Sequence, residues 1–199
     1  MENNKEIKIL QAAEKVFFKK GFFPARMEDI ADEAGVAKGT LYLYFKDKTS
    51  IYIHLMNYRL AEAVNMLESI QKVKMSATEK LERIFDGWAH YYSQAKGMAS
   101  FVSIENINLT TELMKEMDTQ IKPKISKFVD IVANIIKTGI DNNEFKKVNP
   151  RIAAAFFFNT VRTVNISHLY KINAMEGPAM IKEMFFHGIK LQNKKKESK

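Results

Sequence analysis

Apolar residues recur every three or four positions along most of this chain, the spacing of helices that bury one face. Ile9, Ala12, Ala13, Val16 and Phe17 share a face of a first helix over about residues 5–20, which Gly21 ends. A short helix opens at Met27, and another covers Lys38 to Phe45 with Gly35 between them. A long helix then runs from Lys48 to about Ile70, striped by Tyr52, Leu55, Met56, Leu60, Val64 and Leu67. Further helices are expected from Ser76 or Thr78 to about Gln94, over about 98–107, over about 111–120, and again to Gly139 after a break at Pro123. Asn149-Pro150 and Gly177-Pro178 read as helix starts, with Pro where its missing N–H is harmless. The helices they open run to about Tyr170 and Gln192. The pattern predicts an all-α chain of about nine helices.

The stretch MEDIADEAGVAKGTLYLYF, from Met27 to Phe45, carries the sharpest local signal. It reads as a helix-turn-helix. Ile30, Ala34, Val36 and Leu41 supply the apolar set between its helices, and Ala31 is small where their backbones approach. Gly35 sits at the turn, where a residue without Cβ takes φ > 0 cheaply. Such a unit serves either as an α-hairpin in a helical core or to place its second helix in the DNA major groove. Stepping about 100° per residue from Lys38 turns Leu41 and Phe45 inward and Gly39, Thr40 and Leu43 outward. Gly39 admits close backbone approach. Thr40 can bond a phosphate or base edge, and Leu43 can touch a thymine methyl. Tyr42 and Tyr44 flank this face with phenolic hydroxyls, Lys38 lies at its start, and Lys46 and Lys48 follow at its exit. One leucine facing water means little. A Gly, a Thr, a Leu and two Tyr around one short helix suit a phosphate-rimmed groove better than a solvated surface.

From about Ile7 to Leu55 the chain resembles the tetracycline-repressor (TetR) family of bacterial regulators. The resemblance is carried by ILQAAEKVFFKKGFFPARMEDIADEAGVAKGTLYLYFKDKTSIY. It implies a three-helix DNA-binding domain at residues 1–47 and a helical ligand-binding and dimerisation domain at 48–199, with helix 48–70 linking the two. It also implies a homodimer that binds an operator and releases it when a small molecule enters the C-terminal domain. Carried over by position, the DNA-facing residues are Lys38, Gly39, Thr40, Tyr42, Leu43, Tyr44 and Lys48. Two positions depart from the family. Met27 stands where Thr or Ser is common, so Arg26 is expected to take the phosphate that a hydroxyl would meet. Ala37 stands where Ser often caps the next helix, at a cost of about 1 kcal/mol.

Composition narrows the class. The chain has 199 residues, no Cys and a net charge of +8. Disulfides and thiolate chemistry are excluded, and the length suffices for one or two domains with a real core. Residues 1–60 hold ten Lys or Arg against eight Asp or Glu, and the remainder 21 against 15. The basic flank of the motif therefore matters more than the total. No apolar run is long enough to span a bilayer, and MENNKEIK leads into a helix without a signal core. A cytoplasmic, nucleoid-associated protein with no membrane partner is expected.

No catalytic pattern emerges. The four His stand apart at 54, 90, 168 and 187, and no metal, phosphate-loop or nucleophile-elbow motif is present. Neither enzyme activity, cofactor nor metal is expected. A small-molecule pocket between C-terminal helices is expected instead. Its candidates are Trp88, Tyr91, Tyr92, Phe101 and Phe128, with the polar His90, Glu105, Asn159, Arg162 and Asn165. Each aromatic serves core packing equally well. Asn159, Arg162 and Asn165 recur every three residues along one strip. A buried Arg162 would take an acyl or carboxylate ligand, or pair with Glu105; aromatics around Glu105 would instead suit a cationic drug. Ala153, Phe157, Thr160, Val161 and Val164, with Met180, Met184, Ile189 and Leu191, are candidates for a four-helix dimer interface through the last two helices, or for capping of the monomer core. Two related helix-turn-helix units would read a palindrome. The leading reading is a ligand-released homodimeric repressor. The alternatives are an activator or ligand-independent regulator of the same fold, and an α-helical carrier or enzyme with a vestigial motif.

Overall fold

The computed structural model describes residues 2–94, 111–166 and 176–191. Nine α-helical segments occur among them: α1 Glu2–Lys20, α2 Met27–Ala34, α3 Lys38–Tyr44, α4 Lys48–Lys72, α5 Ala77–Gln94, α6 Thr111–Glu116, α7 Lys122–Asp141, α8 Pro150–Ile166 and α9 Glu176–Ile189. A π-helical turn, Met117–Ile121, joins α6 to α7 without a break. The described residues thus form eight separate rods. The helix expected over 98–107 lies outside them.

Pro123 does not interrupt the chain as its residue type suggests. Its ring opposes the carbonyl four residues back and it brings no N–H. The widened turn before it absorbs both defects: Lys122 N–H donates to the Met117 carbonyl, five residues back. The Thr119 hydroxyl donates to the Lys115 carbonyl at 2.8 Å.

The described residues divide into two compact units, Met1–Asn65 with Tyr91–Lys127, and Met66–His90 with Phe128–Lys199. Residues 48–65 of α4 fall in the first unit and residues 66–72 in the second. In the first unit, Ile9, Ala13, Phe17, Ile30, Leu41, Phe45, Ile51 and Leu55 are buried together. The rings of Phe17, Phe22 and Tyr52 meet at 5.1–6.1 Å and join α1, the following loop and α4. Arg59 of α4 forms an ion pair with Glu14 of α1 through two of its nitrogens. Residues of α1 three or four apart face this core, as their spacing predicts.

The second unit buries Leu81, Ile84 and Phe85 of α5, Phe128, Val132 and Ile136 of α7, Phe157 of α8 and Phe185 of α9. Ser76 and Glu79 cap α5 reciprocally: Glu79 N–H donates to Ser76 Oγ at 3.1 Å, and Ser76 N–H to Glu79 at 2.8 Å. Glu144 reaches the same helix end and accepts from the Ala77 and Thr78 N–H groups. Burial pushes the Glu144 carboxyl up, but those hydrogen bonds outweigh it and hold the group below its ordinary value. Asn149 Oδ1 accepts from Arg151 and Ile152 N–H, the cap expected from Asn-Pro. On α8 and α9, however, Ala153, Phe157, Thr160, Val161, Val164 and Ile189 are buried within their own unit. The outward apolar residues are Ile152, Phe156, Met180, Met184 and Leu191. Of the residues read as dimer interface or core cap, six therefore pack the core of their unit, while Met180, Met184 and Leu191 face outward. The repeat of four residues was legible, but not which of two adjacent stripes faces the core.

The turn after α7 depends on a missing side chain. Gly139 O accepts from Glu144 N–H at 2.7 Å and Phe145 N–H at 3.1 Å. A Cβ on Gly139 would lie 2.3 Å from the buried Phe145 ring. Gly139→Ala is expected to lower unfolding free energy by about 1–3 kcal/mol through overpacking, read from a urea titration. An unchanged midpoint would mean that Phe145 swings aside freely.

Candidate nucleic-acid interface

The site starts from two short helices that cannot fold alone. α2 buries Met27, Ile30, Ala31 and Ala34, and α3 buries Leu41. Gly35 stops α2 in the left-handed conformation at φ 61°, and its N–H and that of Val36 bond back to Asp32 and Ala31 carbonyls. Ala37 precedes α3 with extended backbone and no side-chain cap, as its residue type implies. Met27 also lacks a capping hydroxyl and is buried. The cap comes from the other direction: Asp29 accepts the Arg26 N–H at 2.9 Å. Lys20 reaches Asp29 at 2.7 Å, and that bond, with the Arg26 N–H, holds the carboxyl below its ordinary value.

These constraints leave one face of α3 outward. Leu43 is 85% exposed and Tyr42 45%. Lys38 and Gly39 are exposed, Thr40 is half-buried, and Arg26 is exposed at the start of α2. A Cβ on Gly39 would meet nothing within 4 Å in the chain. Nothing inside the fold therefore demands glycine there, whereas a surface lying against α3 would. Leu43, small neighbours and flanking cations form a face able to enter a groove and read a thymine methyl at its centre.

Three of the residues expected to face DNA also have partners within the fold. Tyr44 is half-buried and packs against the core, because it follows the inward Leu41 by three residues. Lys48 turns back into the protein. Its ammonium donates to the carbonyls of Phe22, Phe23 and Ala25 at 2.6–2.8 Å and stands 4.7 Å from the Phe22 ring centroid. An ammonium has three hydrogens, and all three are taken. Lys48 thus holds the α1–α2 loop, and burial pushes its pKa down. Lys38 pairs with Glu28 of α2, and that contact raises its pKa. Glu28 went unnoticed in the sequence because it meets Lys38 across a turn and not along one helix face.

The candidate ligand residues are only partly brought together. Trp88 meets the fully buried Phe128 edge-on at 5.7 Å, and Phe128 meets Phe158 at 5.0 Å. His90 is exposed. Asn159 is exposed too, and its amide donates to the Ala155 carbonyl at 2.9 Å. Phe101 and Glu105, and the side chains of Tyr91, Tyr92, Arg162 and Asn165, lie outside the described residues. A surface groove of about 400 Å³ between α5 and α9 is lined by Glu82, Lys182, Phe186 and Lys190 and includes none of the candidates.

Residues 9–55 match the family model of bacterial regulatory proteins, tetR family. The fatty acid metabolism regulator protein of Bacillus subtilis is 28% identical over 163 residues, covering 79% of each protein. The crystal structure of the transcriptional regulator FadR from Bacillus subtilis, in complex with stearoyl-CoA, is 25% identical with a TM-score of 0.68 and covers 92% of this chain and 98% of that one. A TetR-family regulator from Agrobacterium tumefaciens has the same fold at a TM-score of 0.79 and 17% identity, covering 96% of this chain and all of that one. No described helix is long and apolar enough to cross a membrane.

Two substitutions separate reading from positioning. Leu43→Ala is expected to relax the preferred duplex sequence at one position, by about 1 kcal/mol of discrimination or more, with little change on mixed-sequence DNA; a selection from random duplexes checks it. Lys48→Met is expected to lower the melting temperature and weaken binding to every duplex, while leaving the salt slope nearly unchanged. A slope reduced by about one unit would show a direct phosphate contact instead. The fold, the outward face of α3, the family match over the motif and relatives that regulate transcription converge on one conclusion: the chain is a helix-turn-helix, DNA-binding transcriptional regulator that resembles the TetR family.

Proposed function

We propose that this regulator is a homodimeric repressor that grips a palindromic operator in the cytoplasm and releases it when a long-chain acyl thioester enters its C-terminal helices. The observation that carries this reading is the likeness, across 92% of the chain, to a regulator seen with stearoyl-CoA. The similarity to a fatty acid metabolism regulator points the same way. It favours the acyl alternative over a cationic drug. The Trp88, Phe128 and Phe158 rings supply an apolar environment suited to a hydrocarbon chain.

The dimer is supported by what α8 and α9 leave uncovered. Ile152 and Phe156 are 69% and 62% exposed at i, i+4 spacing, and Met180 and Met184 are 62% and 71% exposed at the same spacing. Phe156 stacks on Phe185, so the two pairs belong to neighbouring helices. An apolar strip of this kind on a folded unit marks an association surface. A two-fold through it would present two copies of α3 to two half-sites. Release then requires the acyl ligand to bind the DNA-incompetent form better, and DNA must weaken ligand binding by the same factor.

Selection of duplexes from a random pool is expected to return a palindrome. Stearoyl-CoA is expected to weaken that complex by about 5–150-fold, the usual range of such coupling, whereas coenzyme A alone leaves it intact. Ile152→Asp with Met184→Glu is expected to give a folded monomer by light scattering. An enriched but non-palindromic site, or a dimer that survives the double substitution, would remove the dimer reading. Equal affinity with and without stearoyl-CoA would remove the acyl one.

A further inference from the structure

α2 opens with two adjacent acids, and the fold employs them differently. Asp29 closes the helix start and holds Lys20. Glu28 reaches across the turn to the ammonium of Lys38, the first residue of α3. The two side chains stay 50% and 57% exposed, and a pair so solvated adds little to folding. Its position gives it another consequence. The Lys38 ammonium lies 6.0 Å from the ring centroid of Tyr42, whose neighbour Leu43 is the most exposed apolar residue of α3. The pair therefore stands at the rim of the surface that meets DNA. Charges separated by less than about 10 Å still feel one another at 0.1 M salt. A carboxylate there repels phosphates and also occupies the cation that a phosphate would take.

We infer that Glu28 competes with duplex phosphates for Lys38 and so restrains sequence-independent affinity at the edge of the recognition face. The inference rests on the DNA-binding reading above. When a phosphate displaces the carboxylate, Lys38 gains a partner but Glu28 remains beside it. The rim then contributes about one net positive charge less than its lysine count suggests. Phosphate attraction carries no sequence information. Weakening it leaves discrimination to Gly39, Thr40 and Leu43, which face outward or lie at the edge of that face.

The test uses the full chain and a labelled mixed-sequence duplex, with anisotropy titrations over a series of salt concentrations. Glu28→Gln is expected to bind about 3–10-fold tighter near 0.1 M salt, with the slope of log K against log salt steeper by about 0.9 per subunit. Lys38→Met is expected to weaken binding, and the double variant to return close to the parent. Glu28→Ala repeats the gain without the amide's hydrogen bonding, and circular dichroism melts of both Glu28 variants are expected to match the parent. Unchanged affinity and slope in both variants would overturn the inference, as would weaker binding at an unchanged melting temperature. A melting temperature lowered in both would overturn it too, by making the pair a structural one. A parent chain that binds no duplex at any salt would instead overturn the DNA-binding reading.

Discussion

The ammonium of Lys48 lies where the first three helices and α4 depend on one another. The loop between α1 and α2 turns the carbonyls of Phe22, Phe23 and Ala25 toward the first turn of α4. One lysine meets all three and sets its ammonium over the Phe22 ring. That ring is itself held by Phe17 of α1 and Tyr52 of α4. The loop fixed in this way leads directly into Arg26 and α2, and α2 carries α3. The placement of α2 and α3 thus rests on this one cation. Because the clamp joins α4 to the loop, any change in the direction of α4 acts on α2 through three hydrogen bonds at once.

Electrostatics around the motif are more restrained than the overall charge suggests. Most of the positive surplus lies beyond residue 60, and the cations near α3 are not all available. Lys48 is spent on carbonyls, Lys20 on Asp29 and Lys38 on Glu28. Arg26 and Lys38 remain exposed at the rim, around an apolar and nearly uncharged centre of Leu43 and Gly39. Such an arrangement gives up phosphate attraction and places more weight on fit to base edges. A regulator that must find one site among many gains from that balance, because its competitor is all other DNA.

In the second unit the economy is one of shape. The α7–α8 turn closes because Gly139 lets the Phe145 ring sit on its backbone, while Glu144 reaches the start of α5. The same turn pairs with the end of α9, where Lys146 N–H donates to the Ile189 carbonyl and Leu191 N–H to the Glu144 carbonyl. The stretch from Gly139 to Lys146 thereby ties α5, α7 and α9 together. The outward faces of α8 and α9 stay free to carry an exposed apolar strip.

Local chemistry made the helices legible from the sequence. Gly35 marks a turn by its φ, Asn149-Pro150 marks a start by its cap, and the apolar period marks which residues of α1 and α2 are inside. The motif from Met27 to Phe45 was likewise legible, down to Leu41 inward and Leu43 outward, because a short helix has only one face to bury. The candidate ligand residues were readable only as a supply of aromatics, since periodicity cannot tell a pocket wall from a core. Everything that depended on a partner distant in sequence was decided by tertiary structure. Lys48 and Lys38 looked alike as flanking cations, yet one meets carbonyls 23–26 positions away and the other a carboxylate across a turn. Pro123 looked like a break, yet a widened turn carries the helix through. On α8, Phe156 and Phe157 have the same chemistry, and only the packing of Phe85 and Phe185 around Phe157 determined which of them stays outside. Sequence fixes what each residue can offer within a few turns of helix. Which offer is taken depends on groups that only the folded chain brings near.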